Sequence, residues 1–343
     1  MLRKRVAVLV AAMATALVLA SGVALAVVKT GGPGNDTLVG TGGRDLLKGK
    51  GGDDRLFGLG GDDRSRVISP PPRSGGRCTS GKPRGGLYGG AGNDYLNGGS
   101  GMDELYGGDG SDNIKGEKGV DHAFGEAGND TIDLSVGGVA DSSCWAFPRK
   151  QEYAEGGHGS DVMHGGTGPD VLDGDTQLPG DDFGFPRDDP QGGPDEVHGD
   201  EGKDLVVGGA GTDRVYGGPG NDSVWDYETT ITAKDYLYGG PGNDDMVEGP
   251  HPFGYLDPPP FIVAGNVFEG GEGNDRISTS VGNPRSARSP DYLYGGPGDD
   301  TINSATTSAL TGKDRVYCGS GFDKVIADSD DRVADDCEKV TRK

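Results

Sequence analysis

Aspartate recurs along this chain on a fixed period. Asp36, Asp45, Asp54 and Asp63 stand nine residues apart, as do Asp94, Asp103, Asp112, Asp121 and Asp130. The same step links Asp161 to Asp170, and Asp195 to Asp204, Asp213 and Asp222; Asp244, Asp275, Asp300 and Asp323 belong to single copies. Each aspartate lies in a glycine-rich stretch, as in Gly31-Gly32-Pro33-Gly34-Asn35-Asp36. Glycine lets a backbone turn tightly and approach closely, so carbonyl oxygens and a carboxylate can point into one small volume. That chemistry suits a hard cation. The alternative is an aspartate that only forms a solvated turn, and it weighs most on single copies such as Asp275, which need a neighbour to complete a site.

The elements that hold these aspartates follow from the rest of the period. Nineteen blocks of nine share glycine at position 4 and aspartate at position 6. Position 1 is glycine except at Pro190 and Cys318, and position 8 is aliphatic or Met except at Ser65 and Ala123. Weaker copies keep the frame: Thr230–Tyr238 with Asp235, Ser286–Tyr294 with Asp291, Ala309–Tyr317 with Asp314, and Phe261–Glu269 with Asn266 in the aspartate slot. Positions 1 to 6 are expected to turn, and positions 7 to 9 to form a short strand with position 8 inward. Asn or Asp at position 5 (Asn35, Asp53, Asn93, Asn221) suits a left-handed turn conformation.

Composition agrees. Glycine supplies 68 of 343 residues, but not at every third position, which excludes collagen. The low hydrophobic content would fit disorder, were the apolar residues not periodic. A formal net charge of −23 excludes nucleic acid and anionic lipid as partners and attracts cations.

The repeat resembles GGxGxDxUx, the RTX or haemolysin-type calcium-binding nonapeptide, over most of residues 31–326. The resemblance implies an all-β fold, a right-handed parallel β-roll, in which two repeats make one coil of 18 residues and coils stack about 4.8 Å apart. It also implies several bound Ca2+ ions, each held between a turn and the turn two repeats on. Asp36 would then pair with Asp54, Asp94 with Asp112, and Asp204 with Asp222. One inward aliphatic per nine residues buries little, and stacked aspartates repel, so calcium binding is expected to drive folding.

Three regions are expected. Residues 1–26 read as a signal peptide: basic Leu2-Arg3-Lys4-Arg5, apolar Val6 to Ala20, and a small-x-small site at Ala24-Leu25-Ala26. The roll spans 27–326, with insertions near 67–79, 134–146, 183–189, 226–229, 248–260, 279–285 and 304–308, and 327–343 is a C-terminal cap. Even repeat numbers between insertions would project them from one edge. The protein is thus expected to be secreted, free or held at the cell surface, with no stable membrane insertion after cleavage.

Four cysteines allow three pairings. Cys78 and Cys144 lie in insertions that could reach one another, and a Cys318–Cys337 bridge would close the cap. Catalytic motifs fail: Gly76 to Pro83 lacks the Ser or Thr of a phosphate loop, and HExxH and GxSxG are missing. The five histidines are scattered, with His164 and His198 at outward position 9, where a surface role is expected. Sequons at Asn35 and Asn129 overlap the turns. No apolar pore-forming region exists, so cytolysis does not carry over.

Insertion aromatics (Trp145, Phe147, Phe183, Phe185, Phe253, Tyr255) either cover the flank or bind a polysaccharide or cell-surface component. The expectation is a calcium-dependent structural or binding protein rather than an enzyme. The alternatives are a roll-scaffolded polysaccharide enzyme or a calcium buffer.

Overall fold

One apolar side chain in nine can be hidden only if successive repeats stack it against its equivalents. The computed structural model shows that stacking. It describes residues 26–41, 46–51, 55–59, 86–101, 103–135, 152–175, 192–226, 233–248, 262–263, 265–279, 287–288, 290–305 and 313–343. The chain winds between two parallel sheets of fourteen and thirteen strands. Successive strands alternate: Gly86–Ala91 lies in the first sheet, Tyr95–Gly101 in the second and Glu104–Asp109 in the first again. All described strand pairs are parallel, and none of the described residues is helical.

The register confirms an 18-residue coil. Leu87 pairs with Leu105 in the first sheet and Leu96 with Ile114 in the second. Pairing continues across the insertions, as Leu56 with Leu96, Ala123 with Ala154, Leu172 with Val206, and Leu237 with Phe268. Extra residues therefore leave and re-enter without shifting the frame. Position-8 side chains from both sheets form one continuous core, and Leu47, Leu87, Leu105, Ile114, Met163, Val215, Ile277 and Val316 have no exposed surface. Phe268, from a weak copy, is the largest of these buried side chains.

Two expectations about the elements need correction. Many strands do not stop at position 9 but run through positions 1 to 3 of the next repeat, as Tyr236–Pro241 and Tyr292–Pro297 do. Glycine amides there still pair coil to coil, for instance Gly240 with Gly271 and Gly296 with Gly319. The turn is consequently tighter than expected. The insertions also leave from both edges. Those within 60–85 and 136–151 follow a second-sheet strand and precede a first-sheet strand; those within 176–191, 227–232, 249–261, 280–286 and 306–312 run the other way. On the latter edge Ile262–Val263 pairs with Ala287–Arg288, joining two neighbouring insertions.

At the C-terminal end, Arg332–Val333 and Lys339–Arg342 add a last strand to each sheet. A disulfide joins Cys318 to Cys337, with Cα atoms 5.2 Å apart. Cys78 and Cys144 lie outside the described residues, as do residues 1–25 and all six insertion aromatics. Among the described residues no helix is long and apolar enough to cross a membrane.

Candidate metal centres

Stacking carries the position-6 aspartates into two ladders, one along each edge of the roll. On the first edge Asp94, Asp112, Asp130, Asp161, Asp195 and Asp213 follow one another; on the second, Asp170, Asp204, Asp222, Asp244, Asp275, Asp300 and Asp323. Each rung has one form. The backbone N–H of an aspartate donates to Oδ1 of the aspartate one coil on, as from Asp94 to Asp112 at 2.8 Å and from Asp204 to Asp222 at 2.9 Å. Two of the three pairs implied by the repeat are thereby brought together. The third, Asp36 with Asp54, is not described at Asp54, although Arg55 donates to the Asp36 carbonyl in the same register.

The second carboxylate oxygen is left over. In Asp112, Asp130, Asp161, Asp170, Asp195, Asp204, Asp213, Asp222, Asp244, Asp275, Asp300 and Asp323, Oδ2 is buried without a hydrogen-bond partner. A buried, unpartnered carboxylate oxygen is costly and points to a cation. Beside it lies a bare backbone face. A Cβ built on position-1 Gly239 would meet Asp244 Oδ2 and the Gly270 carbonyl oxygen, each at 2.5 Å. At Gly217 the equivalent oxygens, Asp222 Oδ2 and Gly239 O, would lie at 2.9 and 2.6 Å. Glycine is required there because any side chain would fill the space into which carboxylate and carbonyl converge. That donor set, hard oxygens from an acid and a backbone carbonyl, fits calcium.

The glycines divide their work by position. Positive φ falls at positions 2 and 4, for example +107° at Gly240 and +155° at Gly242. Position-5 residues do not share it: the only described non-glycine residues with positive φ are Lys50, Glu117, Glu126 and Asp200, all at position 2. The expected left-handed role of position-5 Asn is thus corrected. Its side chain instead accepts the amide of the next coil, as Asn93 does from Ser111 at 2.9 Å and Asn221 from Asn243 at 2.8 Å.

Burial dominates the electrostatics. It pushes the carboxyls of Asp112, Asp130, Asp170, Asp244 and Asp300 up to about 7, and that of Asp204 to about 8. Asp161, Asp213 and Asp222 rise to about 6. Asp195 rises to about 10, through burial first and then the charges of Asp213, Asp161 and Asp175. The donated backbone N–H opposes each rise. Without a cation, burial holds these acids above the usual carboxylate range.

The ladders also contain residues that the strong copies omit. Asp235, Asn266, Asp291, Asp314 and Asp331 continue the first edge in that order. Glu152 stands between Asp121 and Asp170 on the second, and Glu338 accepts from Asp323. The weaker copies already place Asp235, Asn266, Asp291 and Asp314 in the frame; counting back four residues from Gly156 adds Glu152, and nothing in the nonapeptide frame signals Asp331 or Glu338. Asn266 satisfies itself by donating Nδ2 to Asp226 Oδ2 at 2.5 Å.

Other predicted residues differ in setting. Asp36 is half-buried near the first coil, Asp103 and Asp121 are buried, and Asp45, Asp54 and Asp63 lie outside the described residues. Two turns are altered: a Cβ on Gly116, at Asp121, would meet Leu134 Cδ2 at 2.8 Å, and one on Gly208, at Asp213, would meet Val215 Cγ2 at 3.1 Å, where most turns offer a carbonyl. At Asp323, position 1 is the disulfide-bonded Cys318. The other exception, Pro190, disappears. Gly174 faces Asp195 and the Gly208 carbonyl as a position-1 glycine would, so the insertion lies inside that repeat, after residue 175.

Outward position 9 forms columns of stacked rings. Tyr88, Tyr106 and Phe124 stack 4.8 Å apart on the first sheet; His164, His198, Tyr216 and Tyr238 stack on the second. The two histidines are outward, as expected, but neighbours rather than scattered.

Two parallel sheets joined by glycine turns, with a buried aspartate on most rungs, define a parallel β-roll of metal-binding repeats. The family model of the RTX calcium-binding nonapeptide repeat matches residues 30–64, 87–105, 106–138, 155–176, 191–224, 233–247, 264–283 and 288–306, over half of the chain. The chain belongs to that family, and calcium is the ion its repeats bind. No curated protein matches the chain.

Proposed function

We propose that this is an exported protein whose roll is folded by calcium and serves a structural or ligand-binding role outside the cell. The observation that carries the reading is the row of buried Oδ2 atoms without partners along both edges. Calcium placed against each would supply the missing positive charge and draw in the carbonyl of the next coil, coupling binding to folding. Asp94, Asp112, Asp130, Asp161, Asp170, Asp195, Asp204, Asp222, Asp244, Asp275 and Asp300 would hold it, with Asp36 and Asp103 in similar turns. Asp121, faced by Leu134, Asp213, faced by Val215, and Asp323, faced by Cys318, would hold it least.

Export is supported by the basic-then-apolar start of the chain and by the Cys318–Cys337 bridge, which persists in oxidising compartments. Extracellular calcium modules commonly work at about 10⁻⁴–10⁻³ M, so such sites fill outside a cell. A non-catalytic role is supported by the burial of the ladder acids, 1 to 3% exposed from Asp94 to Asp300, since a general acid or base must reach its substrate. The stacked outer rings spend their faces on one another, which leaves the insertions as the surface for a polysaccharide or cell-surface partner.

The test is a calcium titration followed by far-UV circular dichroism, with magnesium as control. A cooperative gain of β signal with calcium alone is expected. A full β spectrum in chelator, unchanged by calcium, would overturn calcium-coupled folding.

A further inference from the structure

Imidazole nitrogen suits zinc, copper or nickel better than calcium, which takes oxygen. Two imidazoles meet on the outer face of the second sheet, away from the calcium turns. His164 and His198 pair in register on consecutive coils, and their rings stack at 4.5 Å with 13° between planes. Asp200 joins them: its Oδ2 lies 3.3 Å from His164 Nδ1. One ligand atom from each of the three residues falls within a span of 4.8 Å.

The surroundings are acidic. Glu196 Oε1 is 3.1 Å from His198 Nε2, and Asp133 pairs in register with His164 on the preceding coil. Asp200 occupies position 2 with φ of 65°, a place that glycine fills in most copies. Lys50, Glu117 and Glu126 share that backbone, but of the four, Asp200 is the one hydrogen-bonded to an imidazole.

We propose that His164, His198 and Asp200 form a site for a borderline divalent transition metal, of which zinc is the best fit, distinct from the calcium ladders. Zinc binds imidazole at about 2.0–2.1 Å and carboxylate at about 2.0–2.2 Å, usually with four ligands. Parallel rings must tilt towards each other to share one ion, and their half-exposed position on the sheet leaves room for that. Glu196 or water completes the shell. The location gives the site a purpose. His164 precedes the insertion within 176–191 and His198 follows it, so a shared metal clasps the roll across that interruption, where 34 residues rather than 18 separate paired positions.

The experiment uses the full chain saturated with calcium, so that the ladders are filled. Zinc is titrated calorimetrically, and cobalt absorption in the visible reports nitrogen ligation. Tight binding of one zinc per chain is expected. His164→Gln and His198→Gln should each weaken it by about tenfold or more, and Asp200→Asn less. His158→Gln, an imidazole outside the cluster, should change nothing. The calcium titration of every variant, followed by circular dichroism, verifies folding. Absence of zinc binding, or binding that survives the double His164→Gln/His198→Gln variant, overturns the proposal. Should the double variant misfold, Asp200→Asn with the wild-type cobalt spectrum decides: a spectrum with oxygen ligands only, unchanged by that substitution, refutes it.

Discussion

Asp112 accepts the backbone amide of Asp94 on Oδ1 at 2.8 Å and keeps its Oδ2 buried with no partner. One carboxylate thus performs two tasks: Oδ1 locks two coils together, and Oδ2 waits for a cation. The two tasks separate under substitution. Asp112→Asn keeps an amide oxygen for the rung but removes the charge. In chelator the variant should be as stable as the parent or more so, because a buried acid beside Asp94 and Asp130 has gone. In calcium it should be less stable by about 1–3 kcal/mol, the cost of a lost charged ligand. Circular dichroism of the residual β signal in chelator, and urea unfolding in calcium, check the reversal of sign.

Asn266 is a natural version of that substitution, placed between Asp235 and Asp291 and donating to Asp226. Asn266→Asp would set two carboxylates against one another. The variant should lose stability in chelator and require more calcium to reach the folded signal. An unchanged calcium midpoint would mean that this rung tolerates charge without a metal.

Position-1 and position-2 glycines should fail differently. Gly239→Ala places a methyl between Asp244 Oδ2 and the Gly270 carbonyl. It should cost about 1–3 kcal/mol by crowding and should also lower calcium affinity. Gly240→Ala acts through backbone strain at φ of +107°, about 1–2 kcal/mol, but it also brings a Cβ against the Gly218 carbonyl, 2.5 Å away. Position-2 residues Lys50 and Asp200 show that the roll tolerates side chains in that backbone. Calcium titration of both variants distinguishes them, since Gly240→Ala should leave the affinity per site closer to the parent's.

Much of this was legible in the sequence because two periods coincide. Strand alternation sends position 8 inward, so Leu96, Ile114 and Val215 mark the core; the nine-residue step of aspartate marks the rungs. Insertions hid the rest. Gly174 serves Asp195 across an interruption that makes Pro190 look like position 1, and Leu134 enters the Asp121 turn from just before another. His164 and His198 stand 34 residues apart, so no 18-residue count brings them together. The three kinds of glycine are also identical as letters. Only the backbone distinguishes the close approach at position 1 from the positive φ at positions 2 and 4.

The raised carboxyl values set the pH behaviour. An aspartate ionises near 3.9 in an unfolded chain, whereas Asp112, Asp130 and Asp244 rise to about 7 and Asp204 to about 8 in the calcium-free roll, mainly through burial. Between those limits the folded state holds more protons than the unfolded state, so stability falls as pH rises. The calcium-free protein should be most structured in acid and should lose β signal as pH climbs from about 4 to about 8. Calcium competes with the same protons, so its affinity should rise across that window and its binding should release protons. Circular dichroism against pH without calcium, together with proton release on adding calcium in weak buffer, measures both arms. Stability that rises with pH in calcium-free solution would mean that the ladder acids are already ionised and partnered in the empty roll.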